Sequence, residues 1–204
     1  MLIVEVEVDC RDVMGGNTVD TVAETVAPYL ESLTGGRARL KVVSNLAVRR
    51  LARAWAAFDK ESLGGDDIVD GILDAYAFAE ADRFRCTTHN KGIMNGVTSV
   101  ALATGNDTRA IESGAHSYAA RNGSYESLTK YAKDSEGNLV GSIELPVTAG
   151  ILGGATSTHP VAKAVIKILG VKTARELAAV MASVGLAQNL AALRTPAVEG
   201  FGDT

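Results

Sequence analysis

The sequence predicts an α+β or mixed α/β fold. Three patterns carry the prediction: period-two alternation near the N-terminus, apolar residues three and four apart in several longer stretches, and a turn between apolar runs in the second half. Residues 2–8 set Val4, Val6 and Val8 against Glu5 and Glu7, the alternation of a half-buried strand. It breaks at Met14-Gly15-Gly16-Asn17. Between residues 18 and 33, Val19, Val22, Ala23, Val26, Ala27 and Leu30 line one face of an amphipathic helix, which Gly35-Gly36 would stop. Residues 39–44 read as a second strand, so the first 45 residues make a strand, glycine loop, helix, strand unit. Residues 59–70, with Gly64-Gly65-Asp66-Asp67, read as a polar connection before a helix through Ile68, Ile72, Leu73, Tyr76 and Ala77. Further on, residues 107–121 predict a helix. Residues 128–133 and 139–145 predict a hairpin around Glu136-Gly137-Asn138. Helices follow at 159–169, where Pro160 suits the first turn, and at 173–193.

Composition narrows the class. A chain of 204 residues with 47% hydrophobic and 22% charged residues buries a substantial core. No run approaches the ~20 uninterrupted apolar residues of a membrane span, so no membrane role is expected. The net charge of −4, with only short basic pairs such as Arg49-Arg50, argues against nucleic acid as a partner. Cys10 and Cys86 stand alone, without the spacing of a disulfide framework or a zinc site, so no metal is expected and a reducing cytoplasm fits. The start Met1-Leu2-Ile3-Val4-Glu5 lacks the basic region of a secretory signal.

Several segments carry polar chemistry. Asp12-Val13-Met14-Gly15-Gly16-Asn17 joins a strand pattern to a helix pattern; it reads either as a tight turn with a cap or as a loop whose backbone approaches a ligand. It matches neither GxGxxG nor the phosphate-binding GxxxxGK[ST], which disfavours a generic Rossmann dehydrogenase. Residues 85–96, Arg85 to Gly96, are dense in hydrogen-bonding groups yet flanked by apolar runs. A lysine held there can aim its ammonium at an oxygen that gains negative charge; the alternative is a solvated loop with a structural ion pair. Asp107 precedes a helix pattern, and the pattern alone favours reading it as an N-cap, the usual job of Asp in that position. His116 and His159 read as structural or surface residues. Gly150-Ile151-Leu152-Gly153-Gly154-Ala155-Thr156 reads as a close-packed turn or as one wall of a site.

Together these segments resemble class II 3-hydroxy-3-methylglutaryl-coenzyme A reductase over nearly the whole chain. The resemblance rests on Asp12-Val13-Met14-Gly15-Gly16-Asn17-Thr18, Ser44-Asn45-Leu46, residues 88–96 (Thr88-His89-Asn90-Lys91-Gly92-Ile93-Met94-Asn95-Gly96), Ala103-Thr104-Gly105-Asn106-Asp107, Gly153-Gly154-Ala155-Thr156 and Gly185-Leu186-Ala187-Gln188-Asn189-Leu190. It implies NAD- or NADP-dependent interconversion of 3-hydroxy-3-methylglutaryl-coenzyme A with mevalonate and coenzyme A, in two hydride transfers. It matches Lys91 to the catalytic lysine, Asp107 to the aspartate that tunes it, and Asn95 to an asparagine beside the lysine. Arg85 matches the arginine that holds the substrate carboxylate. Asp12, Met14, Asn17 and Asn45 match positions on the nicotinamide side. It further implies a homodimer or higher homo-oligomer, with the active site at the subunit interface. The expected organisation is residues 1–55 from a small ferredoxin-like cofactor domain, 56–80 as a connection, and 81–204 as the central part of a larger substrate domain.

The departures also carry expectations. The family's catalytic glutamate and the glycine-rich start of its cofactor domain have no counterpart here, and where a Gly-His-Met segment is expected the chain reads Phe201-Gly202-Asp203-Thr204. The chain alone is therefore expected to show little turnover. Its rival description is an inactive α/β piece that only binds a ligand or a partner chain.

Overall fold

A computed structural model describes residues 1–199; residues 200–204, and with them Phe201-Gly202-Asp203-Thr204, lie outside the described residues. The elements run α1 (Gly16–Thr34), β1 (Leu51–Phe58), α2 (Lys60–Leu63), α3 (Asp66–Ala81), α4 (Arg83–Ala103), α5 (Thr108–Ala119), β2 (Thr129–Lys133), β3 (Leu139–Pro146), α6 (Gly154–Thr158), α7 (Pro160–Leu169) and α8 (Ala174–Glu199). The strands form one antiparallel sheet in the order β1-β3-β2. The fold is thus α+β, as the sequence predicts.

Helix α8 is the axis of the core. Leu177, Met181, Leu186 and Leu193 recur along it at near-helical spacing, are almost fully buried, and pack on α4, α3 and the sheet. Its length and apolar composition would suffice to cross a membrane, but that apolar face is the one buried against its neighbours. The approach to α4 depends on absent side chains. A Cβ on Gly96 would lie 2.8 Å from the Val184 carbonyl oxygen, and one on Gly185 would lie 2.8 Å from Val97 Cγ2.

Most predicted helices form, with ends set by their caps. Gly35, in the left-handed region at φ 66, returns its N–H to the Glu31 carbonyl and ends α1. Pro160 opens α7, where its missing N–H costs nothing. The predicted hairpin is β2–β3, with Tyr131 facing Gly141 across the ladder.

Three expectations change. Residues 2–8 and 39–44 are not strands; α1 lies between them, and residues 45–50 before β1 make only bends and turns. Alternation specifies which face would be buried but supplies no partner, and no described segment forms a ladder with either stretch. Their apolar side chains are accordingly exposed, Leu40 and Val42 among them. Second, β1 lies where no element is expected, because Leu51-Ala52-Arg53-Ala54-Trp55-Ala56-Ala57-Phe58 carries too many alanines to alternate clearly. The boundary drawn at residue 55 falls inside it, whereas Leu51 through Phe58 pair with β3. Third, residues 85–96, for which a solvated loop is one of the two readings, form the first half of α4.

Candidate active site on helix α4

Helix α4 has little of the pattern that announces a helix. Asp82 starts it, its carboxylate accepting from the Arg85 N–H at 2.7 Å. Thereafter packing against α8 sustains it, despite the β-branched Thr87 and Thr88 and the glycines at 92 and 96. Because it is helical, Arg85, Thr88, Lys91, Gly92 and Asn95 fall at three- and four-residue spacing on one face. Facing Asn189 and Ala192 of α8, they line a cleft of about 260 Å³. Three predicted site residues, Arg85, Lys91 and Asn95, are therefore gathered in one place. Neither Arg85 nor Lys91 has an ion-pair partner among the described residues.

The cleft has a buried polar floor. His89 is 2% exposed, and its Nε2 lies 2.8 Å from Thr129 Oγ1 and 2.9 Å from Ser127 Oγ. Thr129 Oγ1 and Tyr131 OH each donate to Asn189 Oδ1 at 3.0 Å, and Ser127 Oγ donates to the Thr129 carbonyl. With those hydroxyl protons committed, His89 must donate from Nε2, and its Nδ1 faces the Asn189 amide at 3.5 Å. The ring is thus a neutral imidazole. Burial, reinforced by the Arg85 charge, pushes its pKa down from 6.5 to about 4. Asn90 ties the same turn to the loop before β2, donating to the Glu126 carbonyl at 2.9 Å and accepting from the Leu128 N–H at 3.0 Å.

Asp107 is elsewhere. It caps α5, its Oδ1 accepting from the Arg109 and Ala110 N–H groups at 3.0 and 3.1 Å. No hydrogen bond or ion pair joins it to Lys91 among the described residues. The helix is the reason. From Lys91 to Ala103 is 103 − 91 = 12 residues of α4, about 18 Å of rise at 1.5 Å per residue, and Asp107 follows that far end.

At that far end lies the glycine loop. Asn106, next to Asp107, accepts from the Gly150 N–H at 2.7 Å. The Asp12 carbonyl accepts from the Ile151 and Leu152 N–H groups at 2.9 and 3.1 Å, and its Oδ1 accepts from the Ala174 N–H at 2.7 Å, so one carboxylate oxygen is already engaged at the start of α8. Met14 packs on Gly150 so closely that any Cβ there would collide with its N–H. Asn17 is exposed in the first turn of α1. Asn45 is an exposed residue whose carbonyl rests against Gly114 of α5, where a Cβ would lie 2.6 Å away.

Sequence reasoning passed over His89 and Asn189 as individual residues, although both lie in quoted motifs, and it passed over Arg50. That residue had been seen only as half of a basic pair. Its guanidinium bonds four carbonyls around the glycine loop.

Residues 1–203 match the family model for hydroxymethylglutaryl-coenzyme A reductase. The chain is 60% identical over 201 residues to the 3-hydroxy-3-methylglutaryl-coenzyme A reductase of Archaeoglobus fulgidus, covering 98% of this chain and 46% of that one. It is 37% identical over 201 residues to a probable reductase of the same kind from Borreliella burgdorferi, covering 95% of this chain and 46% of the relative. Among solved structures, the class II reductase of Streptococcus pneumoniae bound to NADPH in open conformations superposes with a TM-score of 0.88 at 40% identity, covering 91% of this chain and 52% of that one. Another structure of the Streptococcus pneumoniae reductase gives 0.89 at 39% identity, over 96% and 48%. The chain belongs to the hydroxymethylglutaryl-coenzyme A reductase family, and it spans about half the length of the curated relatives it matches.

Proposed function

We propose that the protein containing this chain interconverts 3-hydroxy-3-methylglutaryl-coenzyme A with mevalonate and coenzyme A, using NAD or NADP. One observation carries the reading: in a member of this family, Arg85, Lys91 and Asn95 converge on one cleft beside α8. Two cations without carboxylate partners suit a substrate that brings its own negative charge. The planar guanidinium of Arg85 fits a carboxylate bidentately, and the Lys91 ammonium can stabilise the oxygen that becomes an oxyanion and exchange a proton with it. Asn95, one turn along, can orient that oxygen. The bound nicotinamide would supply or accept the hydrides. Asp12, Met14, Asn17 and Asn45 are the candidates to hold it, and the NADPH bound by the similar Streptococcus pneumoniae reductase supports the choice of cofactor.

Asp107 would then meet Lys91 from a second copy of the chain, in a homodimer or higher homo-oligomer. On this reading residues 1–50 form the cofactor side and residues 51–199 the substrate side. A cytoplasmic location agrees with two free, buried cysteines. The test is complementation in the protein containing this chain: Lys91→Ala and Asp107→Ala, each inactive alone in mevalonate-dependent reduction of NAD or NADP, are unfolded together and refolded as a 1:1 mixture. Random pairing makes half the dimers mixed, and each mixed dimer has one intact site, so about a quarter of wild-type activity should return. No recovery from folded mixed dimers would refute the pairing of Lys91 with Asp107 across two copies. Wild-type protein without activity would refute the enzymatic reading.

A further inference from the structure

We propose that Arg50 is the positioning residue of the Asp12–Asn17 loop, and that its grip on this loop sets the affinity for the dinucleotide. The proposal rests on the cofactor reading given above. Arg50 sits at the end of the turn before β1, where its backbone is fixed. Its N–H donates to the Ala47 carbonyl at 2.9 Å and its carbonyl accepts from the Val147 N–H at 2.9 Å. From that anchor the side chain reaches back under the glycine loop. One terminal nitrogen donates to the Val13 and Met14 carbonyls at 3.1 and 2.9 Å. The other donates to the Arg11 and Ala149 carbonyls at 3.3 and 2.7 Å. A single fork thus joins the loop, the segment after β3 and the approach to β1.

The loop needs such a clasp. Arg11 lies in the left-handed region at φ 50, unusual for a residue with a side chain, and Gly15 stands at φ 105, where a Cβ would come within 2.6 Å of Cys10 Sγ. Carbonyls that converge on one point repel each other unless a cation sits among them. Burial lowers the pKa of the Arg50 guanidinium, while Cys10, Asp9 and Asp12 nearby act in the opposite direction. None of these carboxylates forms an ion pair with it, so its work is done on backbone carbonyls. The fork shape matters as much as the charge. A lysine ammonium, a single point with three donors, cannot span the two pairs of acceptors.

Arg50→Lys therefore keeps the charge and loses the geometry, and Arg50→Met removes both. Arg49→Ala is the neighbouring control, since among the described residues Arg49 pairs only with the exposed Glu7. In the protein containing this chain, hydrogen exchange at residues 11–17 and 149–152 should quicken about tenfold in Arg50→Lys, the effect of losing one charge-assisted hydrogen bond, while α4 and α8 exchange as in wild type. Fluorescence titration should show NADPH or NADH binding weakened about tenfold, with mevalonate affinity unchanged because Arg50 bonds loop carbonyls and neither Arg85 nor Lys91. Arg49→Ala should match wild type in both. Wild-type exchange together with wild-type nucleotide affinity in Arg50→Lys overturns the proposal, and so does a loosened loop that binds nucleotide normally. Wild-type protein that takes up neither NADPH nor NADH refutes the cofactor reading and the affinity role together; the exchange experiment then still decides whether Arg50 holds the loop.

Discussion

Acid should destabilise this fold in a way that one residue accounts for. His89 is neutral in the folded chain, with its pKa at about 4, against 6.5 when freed. A histidine whose folded pKa is depressed binds more protons in the unfolded state, so its contribution is intact above pH 6.5 and is lost as the pH falls from there toward 4. Relative to its high-pH limit, the linkage at pH 5 amounts to RT ln[(1 + 10^1.5)/(1 + 10^−1)], about 2 kcal/mol, nearly all of it acquired below pH 7, and below pH 4 it levels off at about 3 kcal/mol. Other acid-sensitive groups contribute too, among them Glu144, whose hydrogen bond from Tyr118 and ion pair with Arg53 hold its pKa below the ordinary value. Comparison with His89→Gln removes them. The variant keeps an amide that can bond Thr129 and Asn189 but cannot titrate. Urea unfolding at pH 7 and pH 5 should show wild type losing about 2 kcal/mol more than His89→Gln over that interval. Equal losses would mean that the imidazole is solvated or already charged in the folded chain, and the neutral polar floor of the cleft would be refuted.

Two further outcomes follow from the same packing. Gly96→Ala should destabilise by about 1–3 kcal/mol in urea unfolding, because its Cβ meets the Val184 backbone at 2.8 Å and α8 must move away from α4; an unchanged midpoint would show that the two helices separate without cost. Lys91→Ala should change stability by less than about 0.5 kcal/mol, since the side chain is exposed and unpaired among the described residues, while abolishing turnover in the protein that contains it. Loss of stability comparable to the loss of activity would make the lysine structural.

What the sequence showed and what it hid divide along physical lines. Helices with a long apolar stripe or a distinct stop, α1 and α7 among them, are legible because the information is local: Gly35 ends one and Pro160 begins the other. The β2–β3 hairpin is legible for the same reason. Strand β1 is not, since its pairing with β3 is settled by a segment some ninety residues later and its alanines blur the alternation. Residues 2–8 and 39–44 show the converse failure, with pattern but no partner. Helix α4 was missed because its inward positions include His89 and Asn90, polar residues whose burial becomes sensible only once Thr129, Ser127 and Asn189 are beside them. Motif resemblance names the candidate site residues, yet it does not give their grouping. Arg85, Lys91 and Asn95 share a face only because the segment is helical, and Asp107 is removed from them for the same reason.

That removal bears on how the site could work. In the isolated chain Lys91 faces water, where a unit charge 4 Å from an oxyanion is worth about 1 kcal/mol, whereas near a protein surface of lower effective dielectric the same pair is worth about 4 kcal/mol. A lysine left open to solvent is therefore a weak electrostatic catalyst, and whatever covers the cleft decides its strength. The cover must exclude water and must also bring a carboxylate, or the buried ammonium would be driven to its neutral form. In the proposed assembly, a second copy related by a two-fold axis would satisfy both demands at once. If the two α4 helices run antiparallel across the axis, the Lys91 end of each meets the Asp107 end of the other, and the roughly 18 Å between these ends becomes the spacing of two equivalent sites rather than an obstacle to one. The same contact would build both sites or neither, so on the proposed assembly activity should fall with the concentration of paired chains and not with that of folded ones.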